Sequence, residues 1–119
     1  MDNKCTINQV VSFIGKRWTL LVLLELYKHN NTLRYSQLKR CLPGITPKVL
    51  SMRLKELEHE GLILKDLDVS SFPIKTTYTL TPSGIAFLKI IDDMKDWALK
   101  WKVKNKACSS SDCRDCPLD

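Results

Sequence analysis

Between Gly44 and Gly61 the chain specifies both ends of one helix, and every neighbouring element has to accommodate it. Thr46 can cap the free backbone N–H groups of the first turn, Pro47 suits the first helical position, and Gly61 can adopt the left-handed conformation that ends a helix. A helix is therefore predicted from about Thr46 to Glu60. Leu50, Leu54 and Leu57 form its apolar stripe, Lys48, Ser51, Met52 and Lys55 project away from that stripe, and Arg53 lies on its flank. One face is for a core and the other for a partner.

Charge indicates the partner. The chain has a formal net charge of +6, and between Leu33 and Lys55 it carries six cations (Arg34, Lys39, Arg40, Lys48, Arg53 and Lys55) and no acid. Residues 1–32 hold four cations and two acids, residues 56–119 nine and eleven, so the remainder of the chain cancels. An excess focused in one segment is the electrostatic footprint expected for a phosphate backbone, here double-stranded DNA.

At 119 residues with 44% apolar content, the sequence suits one modest core. Its longest apolar run, Leu20 to Leu24, is far too short for a bilayer, and its N-terminus lacks the pattern of a signal peptide. The expectation is a soluble cytoplasmic protein with no membrane partner. Five cysteines, an odd number, argue against a fully paired secreted scaffold.

In chain order, Ile7, Val10, Val11 and Ile14 predict a first helix from about Thr6 to Ile14. Residues Trp18 to Lys28 are apolar nearly all round, which predicts a central helix buried on most sides and closed by Asn30-Asn31. Leu33-Arg34-Tyr35 reads as a short extended piece. Ser36 can then cap a helix to Leu42, with Leu38, Cys41 and Leu42 on its buried face, before Pro43-Gly44 turns the chain. Two helices joined by that turn make a helix-turn-helix, whose second member reads a major groove.

Leu62 to Leu67 and Ile74 to Leu80 then read as two strands around a polar tip, Asp68 to Pro73. Thr81-Pro82 opens a last helix to about Lys104, with an apolar stripe through Phe87, Ile90, Ile91, Met94, Trp97, Ala98 and Trp101. That stripe is longer than one small core needs, which suggests a partner subunit. The fold expected is mainly α with a small β-wing, a winged helix-turn-helix over residues 1–104 with a long C-terminal dimerisation helix. Residues 105–119 form a cysteine-rich tail.

These residues resemble the HxlR family of winged-helix transcriptional regulators, related to MarR-type regulators. The resemblance rests on Cys5 before the first helix, Gly15-Lys16-Arg17-Trp18-Thr19, Arg34-Tyr35-Ser36-Gln37-Leu38 and the run from Gly44 to Glu58. It continues through Gly61-Leu62-Ile63, Pro73, Tyr78-Thr79-Leu80-Thr81-Pro82-Ser83-Gly84 and Trp97. It implies a homodimer held by the first and last helices, through residues such as Ile7, Val11, Ile91, Met94, Trp97 and Trp101, bound to a palindromic operator. On this reading Lys48, Ser51, Met52 and Lys55 face the groove and Arg53 reaches a phosphate or a base edge. Arg34 and Ser36 hold the backbone, and the wing, through Ser70, Ser71 and Lys75, meets the minor groove.

Cys5 follows Lys4 and precedes a helix N-terminus, two features that favour the thiolate and hence oxidation. The resemblance implies a sensor of oxidants or electrophiles there. Cys108, Cys113 and Cys116, in Cys-x4-Cys-x2-Cys spacing, leave three readings open: ligands for zinc or an iron–sulfur cluster, thiol switching, or no function. No nucleophile-and-base pair or phosphate loop points to an enzyme. The rival classes are a winged-helix protein-interaction module and a small metal-binding protein without DNA binding.

Overall fold

In a computed structural model, which describes residues 5–70, 72–102 and Arg114, the element order is α1 (Thr6–Ile14), α2 (Thr19–Lys28), β1 (Thr32–Arg34), α3 (Tyr35–Cys41), α4 (Pro47–His59), β2 (Ile63–Asp68), β3 (Lys75–Leu80) and α5 (Pro82–Trp101). The signals at the helix ends act as their chemistry dictates. Thr46 Oγ1 accepts from the Val49 N–H at 3.2 Å, and Thr81 Oγ1 accepts from the Gly84 N–H at 3.2 Å, each with proline at the first helical position. Gly61, at φ +83°, lets the chain leave α4 and enter β2. Asn30 and Asn31, at φ 59° and 72°, close α2 as expected.

The three strands form an antiparallel sheet in the order β1-β3-β2. Leu33 pairs with Tyr78 and Ile63 with Leu80, so the buried side chains of all three strands meet at the base of the wing. Pairing of Arg34 with Thr77 carries β1 directly into α3. Arg34 therefore takes the capping position expected for Ser36, and its N–H donates to Gln37 Oε1 at 2.9 Å, one half of a capping box. Ser36 lies exposed inside the first turn of α3.

The core gathers Val22, Leu23 and Leu26 of α2, Leu38 of α3, Leu50, Leu54 and Leu57 of α4, Ile63, Tyr78 and Leu80 of the sheet, and Leu88 of α5. Gly84 is the closest approach in it: a Cβ there would lie 2.2 Å from the Leu62 carbonyl oxygen, so only glycine lets α5 start against β2. α2 is less enclosed than its composition predicts. Its Val22-Leu23-Leu26 side is fully buried, whereas Leu20 and Leu24 are half-buried at the edge of the core and Leu21 is exposed. Trp18, at φ 81°, starts α2 from the left-handed region, a conformation costing a bulky residue about 1–2 kcal/mol. Its ring packs against the core and carries the Arg17 guanidinium at 5.0 Å.

Two helices leave part of their apolar surface uncovered. α1 has no buried residue, and Ile7 and Val11 are exposed. On α5, Ile90, Met94, Trp97 (57%) and Trp101 (65%) are exposed, while Ile91 packs against the core of its own chain. The expected end of α5 near Lys104 and the tail thiols Cys108, Cys113 and Cys116 lie outside the described residues. Within the tail, Arg114 stacks on Tyr27 at 4.3 Å and donates to the Tyr27 carbonyl at 3.1 Å and Asn31 Oδ1 at 3.0 Å.

Candidate nucleic-acid interface

The candidate interface is the side of α4 opposite Leu50, Leu54 and Leu57. Burial of those three leucines fixes the rotation of the helix, and Lys48, Ser51, Met52 and Lys55 consequently stand exposed on the other side. The position of the helix is fixed at both ends. At its start, the Tyr35 hydroxyl of α3 donates to the Pro47 carbonyl at 3.3 Å and lies 3.4 Å from Ser51 Oγ. Further along, Glu56 pairs with both Lys16 and Arg53, and Arg53 Nε donates to the Arg17 carbonyl at 3.1 Å.

This second anchor changes the role expected of Arg53 and gives one to Glu56. Arg53 does not extend from the flank towards a partner; its guanidinium is largely buried and held by a carboxylate and a carbonyl. Glu56, the first acid after the cationic run, is neutralised by the same contacts. Partial burial pushes its carboxyl up, but the hydrogen bonds and charges of Lys16 and Arg53 outweigh this and hold it below the ordinary carboxylate value. The exposed face of α4 thus stays cationic up to its last turn.

Around that face the structure places Arg34 and Ser36, both exposed, at the start of α3. It adds Arg17, exposed beside α4 and not among the residues expected at the interface. The signal for it was present in the Lys16-Arg17 pair, but only the fold brings residue 17 against residue 53. The wing is less polar than expected. Lys75 is exposed, yet it stands opposite Asp68 in the β2–β3 register. The backbone N–H and hydroxyl of Ser70 both donate to Asp68 and hold its carboxyl below the ordinary value, so Ser70 is already engaged. Ser71 lies outside the described residues. The tip instead exposes apolar side chains, Leu67, Val69, Ile74 and Phe72, the last 97% exposed.

Cys5 is exposed and free at the N-terminal end of α1, beside the uncovered Ile7. No helix among the described residues is long and apolar enough to cross a membrane.

The arrangement can be compared with known proteins. Residues 13–106 match the model of the HxlR-like helix-turn-helix family. Over 89 residues the chain is 42% identical to the HTH-type transcriptional regulator YdzF of Bacillus subtilis, covering 75% of this chain and 80% of that protein. The structure superposes on the reduced form of the B. subtilis transcriptional regulator YodB with a TM-score of 0.72 and 29% identity, over 87% of this chain and 99% of that one. It superposes on the redox regulator HypR in its oxidised form with a TM-score of 0.67 and 26% identity, over 83% and 99%. A buried helix-turn-helix with a cationic outer face, a wing paired behind it and a family match over most of the sequence agree: the chain belongs to the HxlR-like helix-turn-helix family and is a DNA-binding transcriptional regulator, not an enzyme.

Proposed function

We propose that this regulator is a homodimer that binds a palindromic operator and changes its occupancy when Cys5 reacts with an oxidant or electrophile. The observation that carries the reading is the fixed, acid-free face of Lys48, Ser51, Met52 and Lys55 on α4. In the bound state the two α4 helices enter major grooves one helical turn apart, roughly 34 Å. Lys48 and Lys55 contact phosphates or guanine edges, and Ser51 and Met52 contact bases. Arg17, Arg34 and Ser36 hold the backbone beside them. Lys75 and Ser71 extend contact to the neighbouring groove.

Support for the dimer comes from α1 and α5. Ile7, Val11, Ile90, Met94, Trp97 and Trp101 are about half exposed or more. Complete burial of a large apolar side chain is worth about 1.5–3 kcal/mol, so covering the rest of these six contributes several kcal/mol to association. A second copy supplies the same apolar surface by two-fold symmetry.

Support for sensing comes from the exposure of Cys5 and from the relatives. YodB has been solved diamide-treated and quinone-bound as well as reduced. Here the Cys5 thiol and a thiol of the second protomer would form one disulfide, losing two protons and two electrons to an oxidant such as a quinone, which becomes a hydroquinone. Because Cys5 begins α1, a bond there bears directly on the dimer contact. The tail thiols Cys108, Cys113 and Cys116 are the candidate partners for that bond, or ligands for zinc or an iron–sulfur cluster.

The test is operator binding by the purified protein, reduced and then treated with diamide, alongside Cys5→Ser. A change in affinity of roughly tenfold or more on oxidation, absent in Cys5→Ser, is the expected result. An equal response in the variant contradicts the role of Cys5.

A further inference from the structure

On the side of α2 that carries Glu25 and His29, three side chains of different chemistry converge. Glu25 and His29 lie four residues apart in α2 and at its end, so they share one side of the helix. Cys41 is the last residue of α3 and reaches the same place from the helix packed beside it. His29 Nε2 lies 3.7 Å from Cys41 Sγ and 3.6 Å from Glu25 Oε2, and all three donor atoms fall within 4.8 Å of one another. We infer that Glu25, His29 and Cys41 form a binding site for a divalent metal ion of the zinc class.

The geometry points this way because the two separations made by His29 are close to the edges of a coordination tetrahedron and the third, between Cys41 and Glu25, lies within 4.8 Å. With Zn–S about 2.3 Å and Zn–N and Zn–O about 2.0–2.1 Å, a tetrahedral ion sets its S···N and N···O edges at about 3.6 and 3.3 Å. The separations of 3.7 and 3.6 Å need only a few tenths of an ångström of closure. One soft thiolate, one borderline imidazole and one hard carboxylate make a mixed set that suits zinc better than magnesium or calcium, which take oxygen alone. Three protein ligands leave a fourth position for water.

The surroundings fit. Glu25 is mostly buried, and its other oxygen, Oε1, lies 3.6 Å from Lys28 Nζ, which leaves Oε2 directed to the cluster. His29 is about half exposed, so an ion has a route in from solvent. On binding, the Cys41 thiol loses its proton to solvent. The thiolate and the Glu25 carboxylate then balance the two charges of the ion. Bound metal would pin the end of α3 to the end of α2, immediately before the turn into α4.

The test uses the full chain carrying Cys108→Ser, Cys113→Ser and Cys116→Ser, so that the tail thiols contribute no ligand, titrated with zinc and in parallel with cobalt. The expected result is one equivalent of zinc per chain and a thiolate-to-cobalt charge-transfer band. Zinc at 100-fold excess over its dissociation constant should also raise the melting temperature by about 10 °C. His29→Ala and Cys41→Ser should each weaken zinc binding by roughly 100-fold or more, with Cys41→Ser removing the band. The half-exposed His29 sits at the helix end, so its removal leaves the core intact and far-ultraviolet circular dichroism checks the fold. Less than one equivalent bound, or binding unaffected by both substitutions, or binding lost in Cys5→Ser but kept in Cys41→Ser, overturns the site.

Discussion

Lys16 and Glu56 form an ion pair that joins the connection between α1 and α2 to α4, forty residues further along the chain. Arg53, nearly one turn earlier on α4, shares the carboxylate and reaches the Arg17 carbonyl. The tilt of the reading helix is therefore set by a charged clamp as well as by its leucines. Removal of Glu56 would leave two cations facing each other with no acid between them.

Glu56→Gln should lower stability by about 1–2 kcal/mol, since it weakens two charge-assisted hydrogen bonds in a partly exposed setting. The pH dependence has a definite sign. The carboxyl is held below its ordinary value of 4.5 in the folded protein, so its contribution is fully present above that value and disappears as pH falls through the lowered folded value. Thermal denaturation between pH 3 and 7 checks this: the gap between the parent and Glu56→Gln should narrow towards the acid end. A gap independent of pH contradicts the clamp.

Lys48→Ala and Lys55→Ala should weaken binding to operator and non-specific DNA by similar factors where the lysine contacts phosphate. Each should reduce the salt slope by about 1 for every phosphate left without its lysine, hence about 2 per dimer. Met52→Ala should instead change the preference among operator variants. Fluorescence anisotropy on a panel of single-base variants separates the two behaviours.

Gly84→Ala should destabilise the protein by about 1–3 kcal/mol or more, because the added methyl meets the Leu62 carbonyl at 2.2 Å and neither β2 nor the start of α5 can move freely. Denaturant unfolding measures it. A loss below about 0.5 kcal/mol would mean that α5 starts further from the sheet than this close approach requires.

Trp97→Glu should convert the protein to monomer at micromolar concentration and lower operator affinity by at least tenfold, since each half-site is then bound separately. Analytical ultracentrifugation gives the mass. A dimer that survives both Trp97→Glu and Trp101→Glu contradicts the assignment of α5 to the dimer interface.

Much of this architecture was legible in the sequence because the signals at its joints are local. Thr46-Pro47, Thr81-Pro82, Gly61 and Asn30-Asn31 each act within a few residues of themselves, and the structure uses all four as expected. The rest depended on distant partners. Arg53 read as reaching a phosphate or a base edge because its carbonyl partner, Arg17, is 36 residues away. Ser36 read as a cap because the β1–β3 pairing that carries the strand up to Arg34 is invisible before the sheet closes. Ile91 read with the apolar stripe of α5, yet α5 turns it towards its own core and leaves Ile90 outside. Cys41 read as a core residue of α3, which packing in part confirms; only the juxtaposition of α2 and α3 puts it beside His29.

The most direct test of DNA reading by α4 is binding of the purified, reduced protein to the DNA upstream of its own gene, titrated in salt. If six to ten phosphates are neutralised per dimer, affinity should fall by about 10³ to 10⁵ between 50 and 200 mM salt. The combined Lys48→Ala and Lys55→Ala variant should show a distinctly shallower slope. Absence of binding at 50 mM salt, or binding equally strong at both salt concentrations, would contradict the assignment of this face to DNA.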